Sequence, residues 1–330
     1  MGNLIKTSDG KALRNYPFDT EKSRLEWHFG VSFSSDSRLI AISDIGLGRF
    51  SQTGSRIEFF SVSDGKFVGC IQLQRDASYF AISPRGDQVA VLEEAAMSTG
   101  GAGDAKKARL GFWSVPEGKL MFTLPIPEPI KIQPMFAYAP NGKSLAVGHS
   151  DGAISLWQLP EARCIRVFRG SADPVSLIAF SPDGAIMASV HSRQAIALWR
   201  VSDGTLIDVI QSKSNIVQIA FSPEGTLMAA HSSGENRGES IIRVWRLPDT
   251  RLVASRMWRD WEVHSLAFTA DHELLAVGMR TSRPRPTWVL VVKDWLDKIF
   301  RRRPVAPPPD DCGCFTIPFS IQKMRVGANP

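Results

Sequence analysis

The sequence has few cysteines, and it lacks both a long apolar run and a signal-peptide pattern. Only 4 of its 330 residues are Cys. That is too few for a disulfide framework, so we expect a reducing compartment and a cytoplasmic location. No apolar run approaches the roughly 18 residues that a membrane-spanning helix needs. Residues 1–10 lack the apolar stretch of a signal peptide. We therefore expect no membrane partner.

Familiar catalytic motifs are missing as well. The sequence has no G-x-S-x-G, no P-loop and no H-E-x-x-H. Cys312 and Cys314 form a lone C-x-C, whereas structural zinc needs four ligands. The sequence therefore predicts a protein that is not an enzyme and that needs no metal or cofactor.

The charge is only mildly basic. The chain carries 39 Lys and Arg against 33 Asp and Glu, a net charge of +6. This excess is too small to favour nucleic-acid binding, which calls for a contiguous basic stripe. Hydrophobic residues make up 43% of the chain, enough for a substantial core.

Six copies of one template run through the chain. Each has an apolar stretch, a turn of the type Ser-Pro-Asp-Gly, and a second apolar stretch. Equivalent positions at the start of the turn are Ser34, Ser83, Ala139, Ser181, Ser222 and Thr269, at spacings of 49, 56, 42, 41 and 47 residues. Spacings of this size indicate a repeat architecture.

Each copy is predicted to form four short strands. The third strand carries an aromatic residue in five copies and Val292 in the last; the aromatics are Phe60, Trp113, Trp157, Trp199 and Trp245. Four short strands cannot bury both faces of their sheet alone, so neighbouring units must stack radially. The predicted fold is an all-β propeller of four-stranded antiparallel blades.

The repeats resemble those of the WD40 family over about residues 30–293. Residues 169–199 match the family's signature most closely, and the run from Asp151 to Trp157 matches its turn and third strand. The resemblance implies a propeller that binds other proteins. It also assigns structural roles to Asp151 and to the tryptophans of the third strands.

Two departures from the family pattern concern its network of His, Ser or Thr, Asp and Trp. Ser171 follows Gly170 where the family has His, and no Trp in the third strands is followed by Asp. We therefore expect an incomplete network and a greater reliance on apolar packing between blades.

A seventh blade can be assembled from both ends of the chain. Residues 4–18 match a third strand, a turn and a fourth strand, and residues 315–327 are a poorer match to the first two strands. We predict a single seven-bladed propeller over residues 1–330, with a Pro-rich linker at 301–314 in the closing region. Closure removes exposed strand edges. The alternative is a six-bladed ring with a disordered tail.

The histidines are interpreted as structural. His149 and His191 fall at equivalent places near the ends of second strands, whereas His231 falls one place earlier. Because side chains alternate along a strand, His231 should point to the other side of its blade. A three-His metal site is therefore not expected.

The loops that differ between copies supply the candidate binding residues. Long insertions at 44–56, 93–108, 232–240 and 280–286 join second to third strands, and they should emerge on the same face as the connections between blades. Loops on a rigid scaffold often carry function, and Trp and Arg are enriched at binding hot spots. The predicted protein-binding residues are Arg49, Lys106, Lys107, Arg193, Arg237, Trp258, Arg259, Trp261 and Arg280. The competing interpretation is that these loops are solvated and that Trp258 or Trp261 fills the groove between blades.

The leading hypothesis is a non-catalytic scaffold or sensory propeller that binds an acidic segment of another protein through this basic face. It leaves open that the chain is part of a larger protein or complex. One alternative is an enzyme with a site at the channel mouth, which would need converging His, Asp or Glu. The other is a nucleic-acid-binding propeller, which would show a steep salt dependence.

Overall fold

Five four-stranded antiparallel sheets form the body of the structure, and in each the strands follow one another in chain order. The computed structural model describes residues 2–5, 12–16, 28–45, 55–73, 77–93, 109–125, 135–234, 236, 238–259, 261–268 and 274–280. All regular elements within these residues are strands. The prediction of four-stranded antiparallel blades is confirmed. Residues 301–314 and 315–327 lie outside the described residues, so the seventh blade stays a prediction.

The strand bounds follow the repeats. Blade 1 contains β3 (His28–Phe33), β4 (Leu39–Ile45), β5 (Arg56–Ser61) and β6 (Phe67–Gln72). Blade 2 contains β7 (Ala77–Ile82), β8 (Gln88–Glu93), β9 (Arg109–Ser114) and β10 (Leu120–Pro125). Blade 3 contains β11 (Phe136–Tyr138), β12 (Ser144–Gly148), β13 (Ile154–Gln158) and β14 (Arg163–Phe168).

The remaining strands continue the series. Blade 4 contains β15 (Val175–Phe180), β16 (Ile186–His191), β17 (Ala195–Arg200) and β18 (Leu206–Gln211). Blade 5 contains β19 (Ile216–Phe221), β20 (Leu227–Ser233), β21 (Ser240–Arg246) and β22 (Arg251–Trp258). The sixth copy contributes the pair β23 (Trp261–Phe268) and β24 (Leu274–Arg280), and the N-terminal hairpin pairs β1 (Gly2–Ile5) with β2 (Ala12–Tyr16).

The Ser-Pro-Asp-Gly turn is held by a buried hydroxyl. In blade 4, Ser181 Oγ accepts the Ile186 N–H at 2.9 Å and donates to Asp183 at 2.5 Å. Gly184 takes a φ of +72°, which suits glycine. The hydrogen bond from Ser181 is the main reason that the pKa of Asp183 lies below its usual value. The repeated Ser therefore fixes the start of the second strand.

The core lies between blades rather than within one sheet. Blades 2 to 5 each pack one face against the preceding blade and the other against the following one. Trp199 of blade 4, for example, packs with Leu156 and Phe168 of blade 3. Trp199 and Trp245 are 1% and 7% exposed, as predicted for the third-strand aromatics. Trp113 and Trp157 also pack against core clusters, but they are only half-buried.

The face of blade 1 that points away from blade 2 is also covered. Ala41 and Phe59 pack toward blade 2. Their strand neighbours Ile40 and Phe60 point the other way, yet they are only 3% and 4% exposed. Phe60 contacts Phe67 of the same blade, with 5.7 Å between the ring centroids. Both faces of blade 1 are therefore largely shielded from solvent.

Candidate protein-binding face

The strand order defines two faces of the ring. Connections between second and third strands, and between successive blades, lie on the face called here the upper face. Connections between first and second strands, and between third and fourth strands, lie on the lower face. Among the predicted binding residues that are described, Arg193 and Arg259 lie in upper-face connections, and Trp258, Trp261 and Arg280 lie at the strand ends next to such connections.

A tight hairpin turn presents Arg193 on the upper face of blade 4. The turn runs from His191 to Gln194, whose N–H donates to the His191 carbonyl at 2.9 Å. Its two central residues, Ser192 and Arg193, have φ of 45° and 61°. Positive φ at both central positions is typical of a type I′ turn, which normally selects Asn-Gly. Arg193 is thus held in a left-handed conformation that disfavours a long side chain.

Two backbone hydrogen bonds join this turn to the loop between blades 4 and 5. The Ile216 N–H donates to the Arg193 carbonyl at 2.6 Å, and the Ser212 N–H donates to the Gln194 carbonyl at 2.7 Å. On its other side the loop carbonyl of Asn215 accepts the Ser233 N–H of blade 5 at 2.9 Å. The loop between these bonds carries Lys213, which is exposed like Arg193. Two cations therefore project from one hydrogen-bonded unit, called here the platform, which consists of the turn at residues 191–194 and the loop at residues 212–216.

Ion pairs neutralise the cations on either side of this platform. Arg169 lies 3.4 Å from Asp151, and Arg259 lies 3.8 Å from Glu239. Neither Arg193 nor Lys213 forms an ion pair with another described residue. Arg193 and Lys213 are thus two exposed cations of the upper face, at the junction of blades 4 and 5, that no described acidic side chain pairs with.

Apart from Trp258, the predicted binding residues divide into three groups. Arg193 and Arg259 are exposed on the upper face. Trp261 and Arg280 are directly paired across β23 and β24, which brings their backbones together. Predicted residues outside the described ones are Arg49, Lys106, Lys107 and Arg237.

Trp258 packs against the core between blades 5 and 6 and is only partly exposed. The Arg256 guanidinium carbon lies 5.1 Å from the centroid of its ring. These contacts agree with the groove-filling interpretation of Trp258 rather than with a free apolar anchor.

Lys213 and Arg169 were missed by the sequence analysis. Both lie in short connections between blades, whereas most of the predicted binding residues lie in the long insertions. The signal available in the sequence was the position of each residue just before the first strand of the next copy.

A polar chain runs through blade 4 behind this platform. The Trp199 indole N–H donates to Ser189 Oγ at 2.8 Å, and Ser189 Oγ lies 2.8 Å from His191 Nε2. His191 Nδ1 lies 3.1 Å from the Asp173 carbonyl, which can only accept. Nδ1 therefore carries the proton, and Ser189 donates to Nε2. The chain ties the blade interior to the upper-face loop at Asp173.

Blade 3 builds the same chain from different positions. Ser155 Oγ accepts the Trp157 indole N–H at 2.7 Å and lies 2.7 Å from His149 Nε2. Asp151 stays outside this chain and accepts the Ala153 N–H at 3.1 Å in the turn. That hydrogen bond is the main cause of the lowered pKa of Asp151. The network is incomplete in blades 3 and 4, since no Asp carboxylate takes part in it. A His at or just after the end of the second strand nevertheless forms a shorter polar chain with Ser and Trp, which the sequence analysis did not predict.

His231 points to the opposite side of its blade, as predicted. Its Nε2 lies 3.2 Å from Ser240 Oγ, which also accepts the Val263 N–H of the next blade at 3.0 Å. Across the described part of the chain, no three His, Cys, Asp or Glu side chains are grouped as a metal site would require. Nor does any described helix have the length and apolarity to cross a membrane.

The lower face has a different character. At the boundary of blades 3 and 4, Arg166 donates to the Asp203 and Ser202 carbonyls at 2.6 and 2.8 Å. Phe122 occupies the equivalent position in blade 2, but it stacks on Phe112 with 4.4 Å between ring centroids. A cleft of about 850 Å³ opens between blades 2 and 3, and it is lined by acidic, basic and apolar side chains. The mixed signs give this cleft no excess charge.

Comparison with known proteins agrees with this geometry. Residues 162–200, which span the fourth strand of blade 3 and the first three strands of blade 4, match the family described as WD domain, G-beta repeat. The chain is a β-propeller that contains a WD40 repeat. The crystal structure of the β-propeller domain of Cps50 (Swd1) from Myceliophteria thermophila is similar, with a TM-score of 0.59 and 14% identity. The match covers 79% of this chain and 83% of the other, and at this identity it shows the fold alone. No curated protein matches the sequence.

Proposed function

We propose that this WD40 propeller is a non-catalytic protein-binding module that docks an acidic segment of a partner on the upper face. The docking site is centred on Arg193 and Lys213, at the junction of blades 4 and 5. WD40 propellers commonly mediate interactions between proteins, and this general role is the starting point. The observation that carries the finer proposal is that two uncompensated cations lie on one hydrogen-bonded platform.

The conformation of Arg193 supports a binding role. A non-glycine residue at positive φ typically costs about 1 kcal/mol or more, and such residues cluster at ligand-binding sites. Its turn is fixed by the hydrogen bonds at the Arg193 and Gln194 carbonyls. The side chain is therefore presented from a rigid backbone, which lowers the entropy lost on binding.

An apolar contact is available beside the cations. Val217 follows Ile216, whose N–H is bonded to the Arg193 carbonyl, and Val217 is 44% exposed. A partner segment with an aliphatic side chain next to Asp or Glu would fit this combination. The acidic groups would speed encounter at low salt, and the apolar group would slow dissociation.

The proposal assigns no catalytic step to this face. The side chains of His149 and His191 are both engaged by serine hydroxyls within their blades. We place the protein in the cytoplasm, where its sparse cysteines would stay reduced. The proposed role is recognition by a fixed surface.

Affinity capture with charge-reversed variants tests the proposed face. R193E/K213E changes one Arg and one Lys on the upper face, and R85E/K143E makes the matched change on the lower face. Native protein and both variants would be immobilised and exposed to the same cell extract, and bound proteins quantified. Proteins held by the native chain should be lost from R193E/K213E and kept by R85E/K143E. The reverse pattern would place the docking site on the lower face.

A further inference from the structure

Blade 2 carries a modified form of the polar chain found in blades 3 and 4. In blade 3, Val147 pairs with Ser155 and Leu145 pairs with Trp157. The same register in blade 2 pairs Val91 with Gly111 and Val89 with Trp113. Gly111 thus occupies the position of Ser155.

The histidine position is also changed in blade 2. Glu93 lies two residues beyond Val91, as His149 lies two residues beyond Val147. The set His149, Ser155 and Trp157 of blade 3 therefore corresponds to Glu93, Gly111 and Trp113. Blade 2 therefore has a polar side chain and an indole at the two ends of this hydrogen-bonded series, but it lacks the hydroxyl between them.

Glu93 is almost completely buried, at 1% exposure. One carboxylate oxygen, Oε2, accepts hydrogen bonds from Arg109 Nε at 2.9 Å and Nη2 at 2.8 Å. The other oxygen, Oε1, has no hydrogen-bond partner among the described residues. Burial of an acceptor without a hydrogen-bond partner is unfavourable, and more so when the acceptor is charged.

The indole nitrogen of Trp113 is in the matching situation. Its N–H is buried and has no acceptor within the described part of the chain. A Cβ built on Gly111 would lie 2.8 Å from Glu93 Oε1 and 3.0 Å from Trp113 Nε1. The donor and the acceptor therefore converge on the space above Gly111. They lie at most 5.8 Å apart, the sum of those two distances.

The chemistry of the two groups restricts what can join them. The joining species must accept the indole proton and donate a proton to the carboxylate. Water does both and is small enough to use the space that glycine leaves, whereas ammonium or a metal cation cannot accept the indole proton. Buried waters commonly satisfy polar groups in this way.

We propose that blade 2 contains a specific site for one buried water molecule, bound between Glu93 Oε1 and Trp113 Nε1. This water takes the place of the serine hydroxyl of blades 3 and 4. The chain in blade 2 then runs from the Trp113 indole through the water to Glu93 and on to Arg109, whose side chain is 37% exposed. Gly111 is required because any side chain there would occupy the water site.

A crystal structure of the native chain at a resolution that shows ordered solvent tests the site directly. We expect a solvent peak within hydrogen-bond distance of both Glu93 Oε1 and Trp113 Nε1. A direct hydrogen bond between the two side chains, or another protein group between them, would overturn the proposal.

Two variants that differ by one oxygen test the role of the water in solution. G111A and G111S add the same Cβ and displace the water, but only G111S supplies a hydroxyl to replace it. Both should melt below the native protein, and G111S should melt about 2 °C or more above G111A. Equal melting temperatures would contradict a hydrogen-bonding role, because the crowding by Cβ is the same in both. Circular dichroism melting curves measure the difference.

Discussion

Ser155 of blade 3 and Ser189 of blade 4 perform the same task from opposite strands. Ser155 lies on the third strand opposite Val147, and Ser189 lies on the second strand opposite Ala197. Each hydroxyl accepts the indole N–H of its blade's Trp and contacts its His. The hydroxyl therefore lies on different strands in the two blades, although the polar chain of Trp, Ser and His is the same.

Moving the hydroxyl of blade 4 across the strand pair should largely preserve stability. S189A leaves the buried Trp199 and His191 nitrogens without their partner and should lower the free energy of unfolding by about 1–3 kcal/mol. S189A/A197S places a hydroxyl where blade 3 has one and should recover much of that loss. Urea unfolding measures both, with A197S alone as the control. A double variant no more stable than S189A would show that the two positions are not interchangeable.

Truncation of the third-strand tryptophans should affect stability in order of burial. W199A removes a side chain that is 1% exposed and should lower the free energy of unfolding by about 3–5 kcal/mol. W157A removes a side chain that is only half-buried and should cost less. Urea denaturation followed by circular dichroism gives both values. A loss below about 1 kcal/mol for W199A would be incompatible with its place in the core.

Stability should fall as the pH is lowered below about 6.5, in part through His149. Burial lowers the pKa of His149 below its usual value of 6.5. The unfolded chain therefore binds this proton at a higher pH than the folded chain does. The free energy of unfolding decreases as pH falls through the window between the two pKa values.

Replacement of His149 tests that contribution. H149Q removes the titrating group and should flatten the pH dependence below about pH 6.5. Thermal melts of native protein and H149Q at several pH values measure the change. An unchanged slope in H149Q would rule out a contribution from His149.

Deletion of residues 1–18 tests the predicted closure of the ring. The N-terminal hairpin β1–β2 matches the third and fourth strands of a blade in the sequence, and blade 1 has a covered face away from blade 2. Without the hairpin, a strand edge would be exposed, and we expect aggregation or loss of cooperative melting. Size-exclusion chromatography and melting curves report these outcomes. Unchanged behaviour would favour the six-bladed alternative.

The blades were predictable because their information is local. Turn residues and apolar stretches recur in each copy, so the position of Trp199 in a third strand follows from the sequence alone. The polar chains were not predictable in this way. They depend on which residues face each other across strands, so Ser155 and Ser189 look unrelated in an alignment of repeats.

The binding face was only partly predictable for a similar reason. Arg193 was identified because it replaces Asp151 of the previous copy at a turn. Lys213 was not, because its closeness to Arg193 depends on hydrogen bonds at Ser212 and Ile216. Equally, the pairing of Arg259 with Glu239 depends on two loops that are distant in sequence. Charge counting along the chain cannot separate free cations from neutralised ones.

The association rate with a captured partner at low and high salt tests the proposed function most directly. Native protein should associate faster at about 50 mM salt than at about 500 mM, because salt screens its uncompensated cations. R193E/K213E should associate at least about tenfold more slowly at low salt and show little salt dependence. R85E/K143E should behave like the native protein. Native kinetics in R193E/K213E, with slowed association in R85E/K143E, would contradict the assignment of the upper face.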